Sequence, residues 1–559
     1  MTADSTSSAE SWSLATRWLA ECVETHTACC ADQNDSPWFP TRLLDLGDIQ
    51  IDGATIRLIQ TSNEDAISGP YCTLSHCWGK AHFIQLNERT SSSLRLGISI
   101  EQMPVTFRDA IAMTKRLGIR YIWIDSLCII QDSHSDWLHE AGLMHKIYSH
   151  SYCNISASAS VDSSEGLFRS RNPLILQSNQ IDVCVADVDP SHQHVRCDIF
   201  DYFFWLNNLL HCTINKRGWV FQERLLAPRV LHFGKEQLMW ECRARDACES
   251  YPYGLPPLYD AQIYTNFKAL DPKVYVKKMA SQGRQMSAED ATYRIWNALV
   301  RAYSQALLTV PGDKLIALSG LAKRMMSTIN DDYVAGMWRK RLAAALSWQV
   351  SAQEQVDGSP SSRPTSYRAP TWSWASVDGM IQTEGTEEKG LTIRVEDVKL
   401  EYATEDITGI ITGGWLDLTG PLRPMRLTQF DNGASKRWYM VIQDVLVRPQ
   451  DESLEAHDRL GPILHFDIPP PGDDSFEKDN NEKRLFFMAC RKPSDDNEYI
   501  PLLLLRLADV DKKHFERFGV AISGVGDGQE MLLADVEEEV KSTFPCLRYE
   551  DGLHTIRII

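Results

Sequence analysis

Ile119-Arg120-Tyr121-Ile122-Trp123-Ile124-Asp125, then Ser135-Asp136-Trp137-Leu138-His139-Glu140, then Tyr152-Cys153-Asn154-Ile155-Ser156-Ala157-Ser158-Ala159-Ser160 are the three runs whose reading decides the fold. The first is apolar, β-branched and aromatic, as a buried strand is, and it ends on Asp125. The second opens a helix on which Trp137, Ala141, Met144 and Tyr148 share one face. The third alternates like another strand. Strand, helix and strand in close succession make a βαβ unit. Ligands of such units collect beyond the C-terminal strand ends, so Asp125 is expected to point into that crevice.

Glu140 follows Trp137 by three residues and lies beside the apolar stripe, not opposite it. A carboxylate on the inward side of a helix is costly without partners. Two readings stand: a structural carboxylate tied to an arginine or a backbone donor, or a functional one.

Working outward, Tyr71-Cys72-Thr73-Leu74-Ser75 reads as a strand, followed by the loop His76-Cys77-Trp78-Gly79-Lys80. Met103-Pro104-Val105-Thr106 starts a helix, with Thr106 as expected cap, Asp109 completing a capping-box-like pattern, and Gly118 past its end. The order β(71–75), α(104–117), β(119–125), α(136–149), β(152–158) predicts a parallel sheet covered by helices. Upstream, residues 1–10 are expected to be disordered, and Trp12–Cys30 to form a helix with a stripe of Ala15, Trp18, Leu19, Cys22 and Val23. Cys22, His26, Cys29 and Cys30 invite a zinc reading. No second Cys/His pair completes a finger spacing, so a packed thiol-rich helix and no metal is the expectation. Downstream come a loop with Arg169 and Arg171, strands at 181–185 and 195–199, and Arg217-Gly218-Trp219-Val220-Phe221-Gln222-Glu223-Arg224. The chain thus divides into a tail and helix (1–40), an α/β domain (41–245), a helical region (246–380) and a β-rich region (381–559). Within these, Thr371–Ser376 is expected to be buried and 469–483 to be an acidic, proline-rich loop.

The 559 residues carry a net charge of −18, with 43% hydrophobic and 24% charged residues. That excess of acid argues against sequence-independent nucleic-acid binding, which needs clustered cations. The fourteen cysteines form no dense framework. The sequence opens without a basic, then apolar leader, and no apolar run is long enough to span a bilayer. Free thiols and a cytoplasmic location are the expectation.

Several motifs fail. There is no Gly-x-Ser-x-Gly elbow, and Gly79-Lys80 lacks the upstream glycine of a phosphate loop. His139, Glu140 and His145 do not form His-Glu-x-x-His, because six residues turn a helix by about 600° and splay the histidines. Ser75 or Ser126 with His76 and Asp125 spell a triad without any geometry to support it.

Three ordered blocks resemble the fungal heterokaryon-incompatibility (HET) domain: Leu74-Ser75-His76-Cys77-Trp78-Gly79; Tyr121 to Gln131 with Asp136, Trp137, Glu140, Met144, Ile147 and Tyr148; and Arg217 to Leu226 with Arg229-Val230-Leu231. The resemblance covers about 71–224. It implies a role in non-self recognition and regulated cell death, and a flavodoxin-like α/β sheet similar to the Toll/interleukin-receptor (TIR) fold. Some TIR domains cleave NAD+ at the nicotinamide–ribose bond with a helix-borne glutamate, often just after a tryptophan. By that likeness Glu140, Asp125 and His76 are the expected catalytic residues. Trp78 or Trp137 would wall the nicotinamide, Ser75 and Glu223 would line the site, and Lys80, Arg169 or Arg224 would hold phosphates. A carboxylate at the ribose suits the oxocarbenium-like state of N-glycosidic cleavage. NAD+ would be substrate, with no resident cofactor; self-association or other incompatibility proteins are the expected partners. Two rival readings remain: a non-enzymatic signalling module, and a biosynthetic enzyme on the same scaffold.

Overall fold

The computed structural model describes all residues except 1–2, 31–37, 49–54, 64–66, 178, 185–193, 200, 257–266, 353–357, 384–387, 432–435, 448–461, 471–474, 493–498, 525–531 and 534–536. Two compact units divide the chain, Met1–Val274 and Tyr275–Ile559.

The first unit is built on a nine-stranded mixed sheet. Its strands are β1 (Arg42–Asp45), β2 (Thr55–Gln60), β3 (Tyr71–Ser75), β4 (Ile98–Ser99), β5 (Tyr121–Ile124), β6 (Cys153–Ser156), β9 (Arg229–Phe233), β10 (Leu238–Cys242) and β11 (Asp246–Cys248), while β7 (Asn179–Cys184) and β8 (His194–Ile199) pair as a separate hairpin. The order is β11-β10-β9-β6-β3-β5-β1-β2-β4. Only the centre, β5-β3-β6-β9, is parallel; both flanks are antiparallel. Every residue of β3, β5 and β6 is buried. Burial on both faces explains why β5 reads as a continuous apolar run.

Helices α1 (Ala9–Thr25), α3 (Val105–Arg116) and α5 (His134–Ser149) fall close to where the periodicity puts them, whereas α2 (Ser91–Leu96), α4 (Asp125–Cys128) and α6 (Gly218–Leu226) were not expected. Gly118 follows α3 with φ +76°, the left-handed turn that glycine takes most easily. Three local expectations need correction. Thr106 and Asp109 do not cap α3, whose N-cap is Pro104 without a side-chain bond. They face the loop after β6 instead, accepting the Gly166 and Leu167 amides at 3.1 and 2.8 Å. Residues 3–8 are not a loose tail: Ala3 and Thr6 are buried, the Thr6 amide reaches the Arg169 carbonyl at 3.0 Å, and Ser8 caps α1. Val23 is exposed, so the α1 stripe runs instead through Leu14, Ala15, Trp18, Leu19 and Cys22.

The second unit carries helices Ala288–Tyr303 and Ser319–Ile329 and a largely antiparallel sheet that includes Arg394–Tyr402, Ile411–Gly420, Ile500–Asp509, His514–Ser523 and Leu553–Ile558. Trp372 and Trp374 are fully buried, as their sequence setting predicts. A cleft of about 490 Å³ in this unit is lined by Arg363, Asp467, Phe476 and Phe518 among others. Arg517 lies in it, with its guanidinium 3.3 Å from the Trp348 ring centroid and 2.5 Å from Asp467. The acidic loop at 469–483 lies partly outside the described residues; Glu477–Asn481 is a short helix. No helix among the described residues is long and apolar enough to cross a membrane.

Candidate functional site

In the parallel centre β3 connects outward to β5, whereas β6 connects the other way to β9. The crevice beyond the ends of β3 and β6 is therefore the topological switch point, where such sheets bind ligands. Four elements deliver side chains there: the end of β3 (Ser75, His76), the start of α4 after β5 (Asp125), β6 (Asn154), and α6 in the last crossover (Glu223).

Ser75 is the centre. Its hydroxyl donates to Glu223 Oε2 at 2.5 Å and accepts from Asn154 Nδ2 at 3.0 Å. Asn154 also accepts from Thr73 Oγ1 at 3.0 Å. This polar set inside an otherwise apolar sheet is held by its own hydrogen bonds, as buried polar groups must be. Burial pushes the Glu223 carboxyl up to about 7, and the neighbouring Asp125 charge adds to this. The hydroxyls of Ser75 and Tyr148 and the cation of Arg217 act in the other direction. Arg217 also donates to the His76 carbonyl, tying the entry of α6 to the loop after β3.

His76 is buried with its Nδ1 3.7 Å from Asp125 Oδ1, too long for a hydrogen bond. Neither ring nitrogen has a hydrogen-bond partner among the described residues. The ring stands edge-on to Phe107, centroids 4.8 Å apart. Burial draws the imidazole down to about 4, reinforced by Arg217 and opposed by Asp125, so it is neutral near pH 7. Asp125 is partly open, its side chain 26% exposed. It accepts the Ser126 amide at 2.7 Å and the Trp78 indole N–H at 2.9 Å. Trp78 also packs edge-on against Phe83. Its indole therefore positions Asp125.

Other expected site residues sit in different company. Glu140 has no exposed surface and lies 3.1 Å from Arg42, which also grips Asp136 at 2.8 and 2.7 Å and donates Nε to the Cys128 carbonyl at 2.7 Å. Asp136 in turn accepts the Ile130 amide at 2.8 Å. Burial raises the Glu140 carboxyl, with Thr41 and Arg42 opposing. This cluster fastens the start of α5 to β1 and to the loop after Asp125. Trp137 meets Trp219 edge-on at 6.1 Å, joining α5 to α6. Arg224 is not free for a phosphate: it makes a two-pronged bond to Glu241 at 2.6 Å, and Glu241 also holds His232 at 2.9 Å. Arg169 is engaged by Glu165, Ser160 and three carbonyls of its own loop. Lys80 is exposed at the turn after Trp78.

Asn154, Tyr148 and Arg217 join the Ser75–Glu223 cluster and were not expected there. The polar Asn154 in the middle of an apolar strand, and an arginine directly before Gly218-Trp219, are the sequence signals that mark two of them.

Residues 71–223 match the family model described as "Heterokaryon incompatibility protein (HET)". The match opens at the first residue of β3 and closes on Glu223. No curated protein and no solved structure matches the chain.

Proposed function

The chain carries a heterokaryon-incompatibility domain over residues 71–223, and from that premise we propose that it acts in heterokaryon incompatibility by cleaving NAD+ at the nicotinamide–ribose bond, leading to cell death. The observation that carries the reading is a pair of carboxyls in opposed settings flanking Ser75-His76: buried Glu223, raised to about 7, and partly open Asp125. A buried, raised carboxyl beside a more open one is how one site holds an acid or base next to a second carboxyl. The parallel strands also run second-first-third-fourth, the opening of the flavodoxin order, which supports a TIR-like core.

The reaction is NAD+ plus water giving ADP-ribose, nicotinamide and a proton. Nicotinamide leaves with the electron pair of its bond to C1′, and water supplies the new C1′–O bond. Asp125 faces the developing oxocarbenium charge. Glu223, ionised in part near neutrality, takes the water proton, with Ser75 fixing its orientation. Neutral His76, buried behind Asp125, backs the site without touching substrate, Trp78 stacks on nicotinamide, and Lys80 meets a phosphate. The catalytic carboxylate in this reading is Glu223, and Glu140 acts as a positioning residue.

Nicotinamide release from NAD+ by the purified chain is the test. Asp125→Asn and Glu223→Gln should each lower it by roughly 10²-fold or more while the folded circular-dichroism spectrum persists. A wild-type chain that releases none, or variants that match it, would sink the enzyme reading.

The hairpin β7–β8 favours a second reading, a self-association module, because Ile181, Val195 and Ile199 are exposed on it. If cells expressing Glu223→Gln still die and those expressing Ile199→Asp survive, this reading replaces the first.

A further inference from the structure

A second cluster lies in the same unit and takes no part in that chemistry. Cys22 and His26 stand one helical turn apart at the end of α1, and Cys29 ends the tight turn Thr27–Cys29 that follows. The turn folds back through Cys29 N–H to the His26 carbonyl at 2.9 Å. The fourth member arrives from far down the chain: Cys242, the last residue of β10. The ligand atoms of all four lie within 4.8 Å of one another, and His26 Nδ1 is 3.3 Å from Cys242 Sγ. A tetrahedron with zinc–sulfur bonds of about 2.3 Å spaces its sulfurs roughly 3.8 Å apart, which this arrangement nearly meets.

We infer that Cys22, His26, Cys29 and Cys242 form a structural zinc site that fastens α1 to β10, the strand beside the edge strand β11 of the nine-stranded sheet. Four protein ligands close the coordination shell, leaving no position for water or substrate, which separates structural from catalytic zinc. The surroundings suit an anionic Cys3His centre. Arg229 is buried against it and donates Nε to Cys22 Sγ at 3.3 Å and Nη2 to the adjacent Cys30 Sγ at 3.1 Å. A guanidinium aimed at sulfur is the outer-shell partner that thiolate ligands use. Ordinary packed thiols have no need of it: buried free cysteine behaves as a small hydrophobe. The sequence alone showed a three-residue half-site, because Cys242 enters only through the pairing of β10 in the sheet.

The test uses the full chain, purified in reducing buffer from zinc-supplemented medium and desalted. Elemental analysis should find about one zinc per chain, and cobalt exchanged into the site should give the visible bands of a tetrahedral thiolate complex. Cys242→Ser should lose most of the metal, whereas Cys30→Ser should keep it. Should Cys242→Ser fail to fold, alkylation mapping of the wild-type chain replaces it: Cys22, Cys29 and Cys242 should be protected with metal and modified after chelation. A folded wild-type chain without zinc overturns the inference. So do a native disulfide among the three cysteines, equal metal loss in Cys30→Ser, and equal alkylation with and without chelator.

Discussion

Replacing Glu223 by Gln tests the strained carboxyl through stability, independently of any substrate. The carboxyl ionises near 4.5 when unconstrained and is raised to about 7 in the fold. A raised acid stabilises the folded state while protonated; that contribution is complete below pH 4.5 and is lost as pH rises through 7. At about 1.36 kcal/mol per pH unit, the loss across the whole window is about 3 kcal/mol. Between about pH 5.5 and about pH 8 it is about 2 kcal/mol, because the unfolded chain already titrates at the lower value. Glu223→Gln keeps the shape and removes the titration. Relative to wild type it should therefore gain about 2 kcal/mol on going from the lower to the higher pH, a shift of roughly 1 M in the urea midpoint. The assay is a pair of urea curves at each pH, followed by tryptophan fluorescence and by far-ultraviolet circular dichroism, taking the transition that the substitution moves. A difference between the two proteins that stays the same at both pH values, within about 0.5 kcal/mol, would refute the claim that Glu223 is held up by burial and the neighbouring Asp125 charge.

Other perturbations have equally definite signs. His76 is drawn down to about 4 from an ordinary 6.5, so the stability that goes with its neutral ring is present above pH 6.5 and lost as pH falls through 4. Against His76→Leu, the wild-type chain should fall away over that window and run parallel above it in thermal melts. Arg42→Met strands Glu140 and Asp136 without their cation and should cost about 3–5 kcal/mol in denaturant unfolding; a cost under about 1 kcal/mol would make the cluster ornamental. Gly79→Ala meets a double obstacle, a φ of +62° and an added Cβ that would press on Asp162 backbone and side chain. It should destabilise by about 1–3 kcal/mol and loosen the Trp78 loop, read as a lower melting temperature and faster quenching of tryptophan fluorescence.

The parts of the fold that were legible in the sequence are those set by local pattern. The β3, β5 and β6 strands and the α3 and α5 helices announce themselves by buried runs and by three- and four-residue spacing. Their observed bounds lie within a few residues of the expected ones. What the sequence hid is pairing across distance. Glu140 reads as an inward carboxylate, but nothing nearby names Arg42, 98 residues away, as its partner. Glu223 and Ser75 are 148 residues apart and meet only because α6 crosses over the end of β3. Polar N-terminal residues look like a tail until the structure shows Ser8 capping α1 and Thr6 bonded to the 169 loop. Thr106 and Asp109 illustrate a milder failure: the capping pattern was present, but both groups had better acceptor work to do on the Gly166–Leu167 amides.

This distance problem also decides how mutants at Glu140 must be read. Arg42 holds the Cys128 carbonyl and Asp136 the Ile130 amide, at the end of α4 and the start of its connection to α5, and Glu140 is paired to the same Arg42. Under the proposed NAD+ cleavage, a loss of nicotinamide release in Glu140→Gln is therefore expected whether Glu140 touches substrate or only steadies Asp125. Activity alone does not separate the two roles, but the pH profile does. If Glu140 is a positioning residue, Glu140→Gln should lower the rate while leaving the apparent ionisation near pH 7 in place, since that ionisation belongs to Glu223. Glu223→Gln should abolish the ionisation along with most of the rate. An ionisation that vanishes with Glu140 and survives the loss of Glu223 would return the catalytic role to α5.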